Sequence, residues 1–245
     1  MDELPAEYAA TRTAIQRVAV HVIARRRHAL VGKLGLRATP GGIGAPAGGP
    51  DHEVLRTSGA WLLRERTGEA ARTTSLDLRV ASLSEAAAFA EADLAAPFDA
   101  GSDTPPVGDV DVPLAVDAAA ASALADWFAF GTAALDAVVT ALDPTAEPSV
   151  VQVWPEHFDA GCDVAAVPGQ RVNLGASPGD GLSTEPYLYV GPWGPDRPGH
   201  PGYWNAPFGA LLGHAALRDS TDPQGDAVAF LRRGLELLRS AGPSS

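Results

Sequence analysis

The alternation of apolar and polar positions along the chain predicts two runs of elements in the same order. Ala14, Ile15, Val18, Val22 and Ile23 recur at helical spacing over residues 5 to 28, with Pro5 suited to the first turn. Strand-like runs follow at about 30 to 38 and 53 to 57. Trp61–Arg66 then turns at Thr67-Gly68-Glu69 into a partner from Ala71 to Leu78, as a hairpin does. Ser82-Leu83-Ser84-Glu85 is a capping box that opens a short helix to about residue 93. Residues 95 to 113, with Pro97, Pro105, Pro106 and Pro113 among several Asp and Gly, read as a linker. Past it, Asp117 caps a helix over about 118 to 142, with Leu124, Trp127, Phe128, Leu135, Val138 and Leu142 on its apolar side. Strands are expected at about 149 to 154, 158 to 165, 171 to 176 and 186 to 192. Asp222-Pro223 starts a terminal helix carrying Val228, Leu231, Leu235 and Leu238.

Inside this order a shorter pattern occurs twice. Leu36-Arg37-Ala38-Thr39-Pro40-Gly41-Gly42 is followed by Glu53, Gly59 and Trp61. Leu174-Gly175-Ala176-Ser177-Pro178-Gly179-Asp180 is followed by Glu185, Gly191 and Trp193, with the same spacing from Glu to Gly to Trp. The pattern predicts a diverged internal duplication, with residues 1–94 and 114–245 as the halves and 95–113 between them. The fold class is therefore α+β: duplicated helix–antiparallel strands–helix halves, forming one sheet or two related sheets packed by helices. On that reading the shared Pro-Gly turns, Glu53 and Glu185, and Trp61 and Trp193 are scaffold. Chemistry is then to be sought in what one half alone possesses.

Charge narrows the partners. The 245 residues carry a net charge of -12, and from Val80 to Gln170 there are fifteen Asp and Glu with no Lys or Arg. Such a surface repels phosphate backbones and anionic lipids, so neither nucleic acid nor a membrane is expected as partner, and a small molecule stays possible. Arg25, Arg26 and Arg27 fall at a helix end, where cations complement the dipole, and read as a solvated terminus. The single cysteine, Cys162, excludes an internal disulfide and a multi-cysteine metal cage. No targeting signal is evident at the acidic start, and no apolar run approaches membrane-spanning length, so a cytoplasmic location is expected. The sequence does not specify an oligomeric state.

The halves differ most at Trp154-Pro155-Glu156-His157-Phe158-Asp159. Read as a strand, this segment puts Phe158, Ala160, Cys162 and Val164 on an apolar face and His157, Asp159 and Asp163 on the other. A His-x-Asp pair on one face suits general acid–base work, since the carboxylate orients the imidazole. The same spacing also describes the wet face of an antiparallel strand. Asp180, which replaces Gly42 of the first copy, is a third candidate catalytic residue, although an Asp after Pro-Gly also commonly holds its own turn. His200 and His214 match no zinc spacing, so a metal is left unassigned and no cofactor is specified. Cys162 lies on the apolar face, where a thiol is usually inert packing.

Eight of the sixteen aromatics lie between positions 154 and 208. Of these, Trp154, Tyr187, Tyr189, Trp193, Tyr203 and Trp204, with Arg197, are the candidate ligand-binding residues. The Pro- and Gly-rich run 191–204 between them is either a binding loop over a pocket or a loop pinned down by its own rings.

At His157-Phe158-Asp159, Ser177-Pro178-Gly179-Asp180, Glu185-Pro186-Tyr187-Leu188-Tyr189, Pro192-Trp193, and Asp222-Pro223 with Phe230-Leu231, the chain resembles a bacterial family common in actinobacteria and catalogued as a domain of unknown function. Val31-Gly32-Lys33-Leu34 and Thr39-Pro40-Gly41-Gly42 are similar too, while the family's aromatic run before the first Pro-Gly turn is missing. The resemblance implies one duplicated α+β unit and no activity. Three readings stay open: a small-molecule enzyme using His157, Asp159 and Asp180 in an aromatic pocket, a non-catalytic ligand-binding protein, or a partner-binding protein with an acidic surface.

Overall fold

The computed structural model describes residues 1–67, 71–101, 103–167 and 169–240. The fold is α+β, with two five-stranded antiparallel sheets, each a simple meander, and helices packed on them. The chain divides into two compact units. One comprises Leu4–Ala129 with Val153–Asp159; the other comprises Met1–Glu3, Phe130–Gln152 and Ala160–Ser245.

The first unit is organised around one long N-terminal helix. It begins as α1 (Tyr8–Val18), widens into a π-helical stretch at Ala19–Ala24, and ends as α2 (Arg25–Val31). All six residues of the π stretch are buried, so the extra residue per turn falls where the helix packs most tightly. Gly32 stops the helix at φ 67°, its N–H donating to the His28 carbonyl, and what was expected as strand from residue 30 is therefore helix and loop.

The sheet follows as β1 (Arg37–Thr39), β2 (Gly42–Gly44), β3 (Val54–Ser58), β4 (Trp61–Arg66) and β5 (Arg72–Asp77). The hairpin expected at β4–β5 is present, and its turn residues Gly68 and Glu69 lie outside the described residues. Ser82 and Glu85 form both bonds of the capping box that opens α3 (Leu83–Ala90). Residues 95–113 belong wholly to this unit and strap the N-terminal helix: Arg17 donates to the carbonyls of Val107 and Asp109, and Arg25 to those of Asp93 and Ala96. The Arg25 guanidinium also stacks on Phe98 at 4.5 Å. The arginine triplet is thus an anchor rather than a solvated end.

Helix α4 (Ala118–Thr140) starts at Asp117, which accepts from the Ala120 N–H. By length and composition it could cross a bilayer, contrary to the sequence expectation; half of its most apolar window is buried inside the protein, and Asp126 and Asp136 on its other side are exposed.

The second meander runs β6 (Gln152–Trp154), β7 (Asp159–Val167), β8 (Gln170–Ser177), β9 (Tyr187–Pro192) and β10 (Ala210–Gly213), followed by α5 (His214–Arg218) and α6 (Pro223–Ser240), with Val153, Trp154 and Asp159 assigned to the first unit and the rest to the second. Two glycines permit its tightest packing. A side chain at Gly131 of α4 would collide with Ala176 of β8. One at Gly234 of α6 would lie 2.6 Å from the Tyr203 hydroxyl and 2.7 Å from Val190 of β9.

The two meanders share order and handling of helices, but the repeated sequence pattern does not fall at matching places. Thr39-Pro40-Gly41-Gly42 is the tight β1–β2 turn, whereas Ser177-Pro178-Gly179-Asp180 leads from the third strand of its sheet into a longer loop. Glu53 is buried and held by Arg26 at 2.9 Å, Arg64 at 2.7 Å and Arg66 at 3.1 Å, while Glu185 is exposed. Trp61 and Trp193 are both on the surface, 40% and 64% exposed. Of the shared residues, only Glu53 and the Pro-Gly turns behave as scaffold.

Candidate functional site

Residues 155–158 are a turn, not the start of a strand. The Phe158 N–H donates to the Trp154 carbonyl at 2.7 Å, and Phe158 itself takes a left-handed φ of 57°. That conformation is unfavourable for a bulky residue. It is held because the Phe158 ring is buried edge-on against Phe128, centroids 5.3 Å apart. The turn breaks the alternation on which a shared His157–Asp159–Asp163 face depended. His157 projects outward with its side chain half exposed, Asp159 begins β7 buried, and Asp163 makes a surface ion pair with Arg171 at 2.9 Å.

The partner that His157 finds is Asp103. Its Nδ1 lies 3.0 Å from Asp103 Oδ2, and its Nε2 lies 4.0 Å from Glu156 Oε1. A carboxylate only accepts, so Nδ1 carries a proton toward Asp103, and Nε2 faces Glu156. Glu156 is 8% exposed, and its Oε2 meets no hydrogen-bond partner among the described residues. Burial pushes this carboxyl above its ordinary value of 4.5. Its own backbone N–H and the His157 ring oppose the rise, and the charges of Asp159 and Asp103 add to it. Two further segments fix the turn from behind. Gln16 of α1 donates to the Glu156 carbonyl at 3.1 Å, and Gly101 packs on the Glu156 side chain where a methyl group would sit 3.3 Å from Cγ.

No family model, curated protein or solved structure matches this chain. Its function is therefore read from geometry.

The remaining candidates fall in the second unit. Asp180 is built into its own loop: it accepts from the Leu182 and Ser183 N–H groups at 2.8 and 3.2 Å and from the Tyr187 hydroxyl at 2.5 Å. Tyr187 is buried, and Tyr189 lies over Gly175, whose missing side chain makes room for the ring. Phe208 contacts both tyrosines. Arg197 spends its donors on the carbonyls of Gly194, Asp196 and Phe208, and sits 5.7 Å from the Trp204 ring centroid. Trp204 donates to the Pro198 carbonyl and meets Tyr203 edge-on at 4.8 Å, and Tyr203 donates to the Phe230 carbonyl. Loop 194–208 is accordingly pinned by Arg197, Tyr203 and Trp204. Among the described residues of this unit only Trp193 keeps a mostly solvent-facing ring; Trp154, in the first, is 39% exposed.

His200 accepts from the Gly202 N–H, and His214 is buried at the start of α5, where desolvation lowers its pKa. Among the described residues no group of three His, Cys, Asp or Glu side chains is placed to hold a metal ion. The buried Cys162 thiol is pushed up to about 12 by burial, which makes it a poor nucleophile.

Sequence reasoning passed over Asp103 and Glu156. Asp103 sits in a stretch that reads as a linker, 54 positions before the histidine it orients. Glu156 adjoins His157, and the alternation that puts Phe158 on the apolar face puts Glu156 there too, which was the available sign that its carboxylate is buried.

Proposed function

We propose that the protein is a small-molecule acid–base enzyme in which Glu156 and His157 exchange protons with substrate and Asp103 orients the imidazole. The observation that carries this reading is the buried Glu156 carboxyl with an unengaged Oε2 beside a His–Asp pair. An unmatched buried oxygen costs about 1–3 kcal/mol, and a fold bears that cost where the group has work to do. The two groups divide the task. Glu156, holding its proton to higher pH than a free carboxyl, is the acid; His157 Nε2, its tautomer set by Asp103, is the base. The half-exposed imidazole gives substrate access, and Phe158 holds the turn rigid against Phe128. Asp159 contributes its charge to the Glu156 proton affinity.

The test is turnover of a panel of chromogenic esters, phosphates and glycosides and of α-protonated ketones by the wild type, Glu156→Gln, His157→Ala and Asp103→Asn. Loss of about 10²–10⁴-fold in the first two variants, with a smaller loss in the third, is expected of groups that move protons. Turnover that is equal in wild type, Glu156→Gln and His157→Ala would overturn the assignment.

A further inference from the structure

A second surface feature is independent of the turn at Glu156. Trp193 at the end of β9 is 64% exposed yet fixed: its indole N–H donates to Asn173 Oδ1 at 2.7 Å and its backbone N–H to the Arg171 carbonyl at 3.0 Å. It forms one wall of an open cleft of about 160 Å³ within the second unit. Leu238 of α6 and Gly169 of the β7–β8 turn border the cleft, and a side chain built at Gly169 would meet nothing within 4 Å, which leaves that rim open. The polar groups around it are Gln170, Arg171 and Asp196.

We infer that this cleft binds one neutral pyranose ring of a saccharide, stacked on Trp193. Three features select that chemistry. The cleft is smaller than the roughly 300–1,000 Å³ of a drug-sized pocket, so it takes a single ring. Its charges disfavour an anion: Arg171 is tied to Asp163 at 2.9 Å, and Glu147 at 4.0 Å and Asp196 leave the surroundings acidic. Trp193 is the single aromatic wall, so a planar base has no second ring to sandwich it. A pyranose presents one face of C–H groups to the indole and a rim of hydroxyls to a carboxylate, an amide and a guanidinium. That is the complement of what Trp193, Asp196, Gln170 and Arg171 offer.

The indole N–H resonances of the full chain report binding directly, with Trp193→Phe identifying its own signal. Glucose-, mannose- and N-acetylglucosamine-based trisaccharides are the probes, with adenosine monophosphate and benzoate for comparison. The Trp193 signal is expected to shift saturably with at least one trisaccharide at a Kd on the order of 1 mM. Read from the backbone N–H resonances of Gln170 and Gly194, which also line the cleft, Trp193→Ala should lose the interaction at least about tenfold and Asp196→Asn weaken it, with the remaining spectrum unchanged as the check on folding. No saturable shift with any trisaccharide, equal or tighter binding of either anion, or undiminished saccharide binding by a folded Trp193→Ala protein would each overturn the inference.

Discussion

Replacing Glu156 by glutamine keeps the shape of the side chain and removes its proton chemistry. In the folded wild type this carboxyl binds its proton more tightly than the ordinary 4.5 of an unfolded chain. From about pH 4.5 upward the folded state therefore holds more protons than the unfolded one, and stability falls as pH rises until the folded carboxyl has itself ionised. One proton limits that slope to about 1.4 kcal/mol per pH unit. Above the window the protein carries a buried carboxylate with an unmatched oxygen, a penalty of about 1–3 kcal/mol. The glutamine variant has no such slope. The wild-type minus variant stability should thus decline as pH rises above about 4.5, by no more than about 1.4 kcal/mol per pH unit, and level off once the folded carboxyl has ionised.

Urea unfolding of both proteins at half-unit steps of pH measures this difference, and a carbon-13 titration of the Glu156 carboxyl, assigned by its absence in the variant, gives the folded value directly. Asp103→Asn removes one of the two carboxylates that raise the proton affinity, so the Glu156 titration should move down in that variant. A Glu156 carboxyl that titrates at or below 4.5, or a stability difference that is flat or rises with pH, would refute the reasoning. Either result would mean that the carboxylate is the favoured form, and the acid assigned to the site would be gone.

Three other outcomes follow from the packing. Arg26, Arg64 and Arg66 share two carboxylates, the buried Glu53 and the half-exposed Glu91; Glu53→Ala removes the buried one and should cost about 3–5 kcal/mol in thermal or urea unfolding. Burial alone would raise the Glu53 pKa, but hydrogen bonds from Arg26 and Arg64 outweigh it and hold it low, so this contribution is present above 4.5 and is lost as pH falls through the lowered folded value. Gly131→Ala should improve helix propensity by about 1 kcal/mol yet still lower the melting temperature, because overpacking against Ala176 costs about 1–3 kcal/mol. Cys162, its thiol pushed up to about 12, should resist alkylation at pH 8 in the folded protein and react once urea unfolds it.

Hydrophobic periodicity was enough for the elements that bury one clean face. The N-terminal helix, the β4–β5 hairpin, the capping box at Ser82, the long α4 and the Asp222-started α6 all stand close to where their patterns put them. It failed where tertiary contacts supply the reason for a conformation. The strand β2 is Gly42-Ile43-Gly44, with one apolar residue, and it exists because β3 pairs with it; Thr57 bonds both the N–H and the carbonyl of Ile43. No strand is expected at Ala210–Gly213, yet β10 forms there by pairing with β9, and Asn205 closes that edge with two bonds to Leu211. Residues 95–113 lack any periodicity, yet Arg17, His21 and Arg25 hold them through backbone carbonyls, which no side-chain pattern reports.

The candidate site shows the same limit in sharper form. His157 was legible because histidine beside carboxylates is a chemical pattern, but its partner was assigned by strand alternation, and alternation holds only where the backbone stays extended. Phe158 at positive φ reverses the chain one residue before the expected partner, and burial of its ring against Phe128 is what pays for that reversal. The consequence is an exchange of roles. Asp159 passes from orienting carboxylate to buried neighbour, Asp103 takes the imidazole, and the residue that the turn buries, Glu156, becomes the one whose proton affinity rises. Phe158→Ala should therefore do more than destabilise the fold by about 3–5 kcal/mol. By releasing the turn it should return the Glu156 titration toward 4.5 in the protein that remains folded, and an unshifted titration there would show that the turn does not set the site.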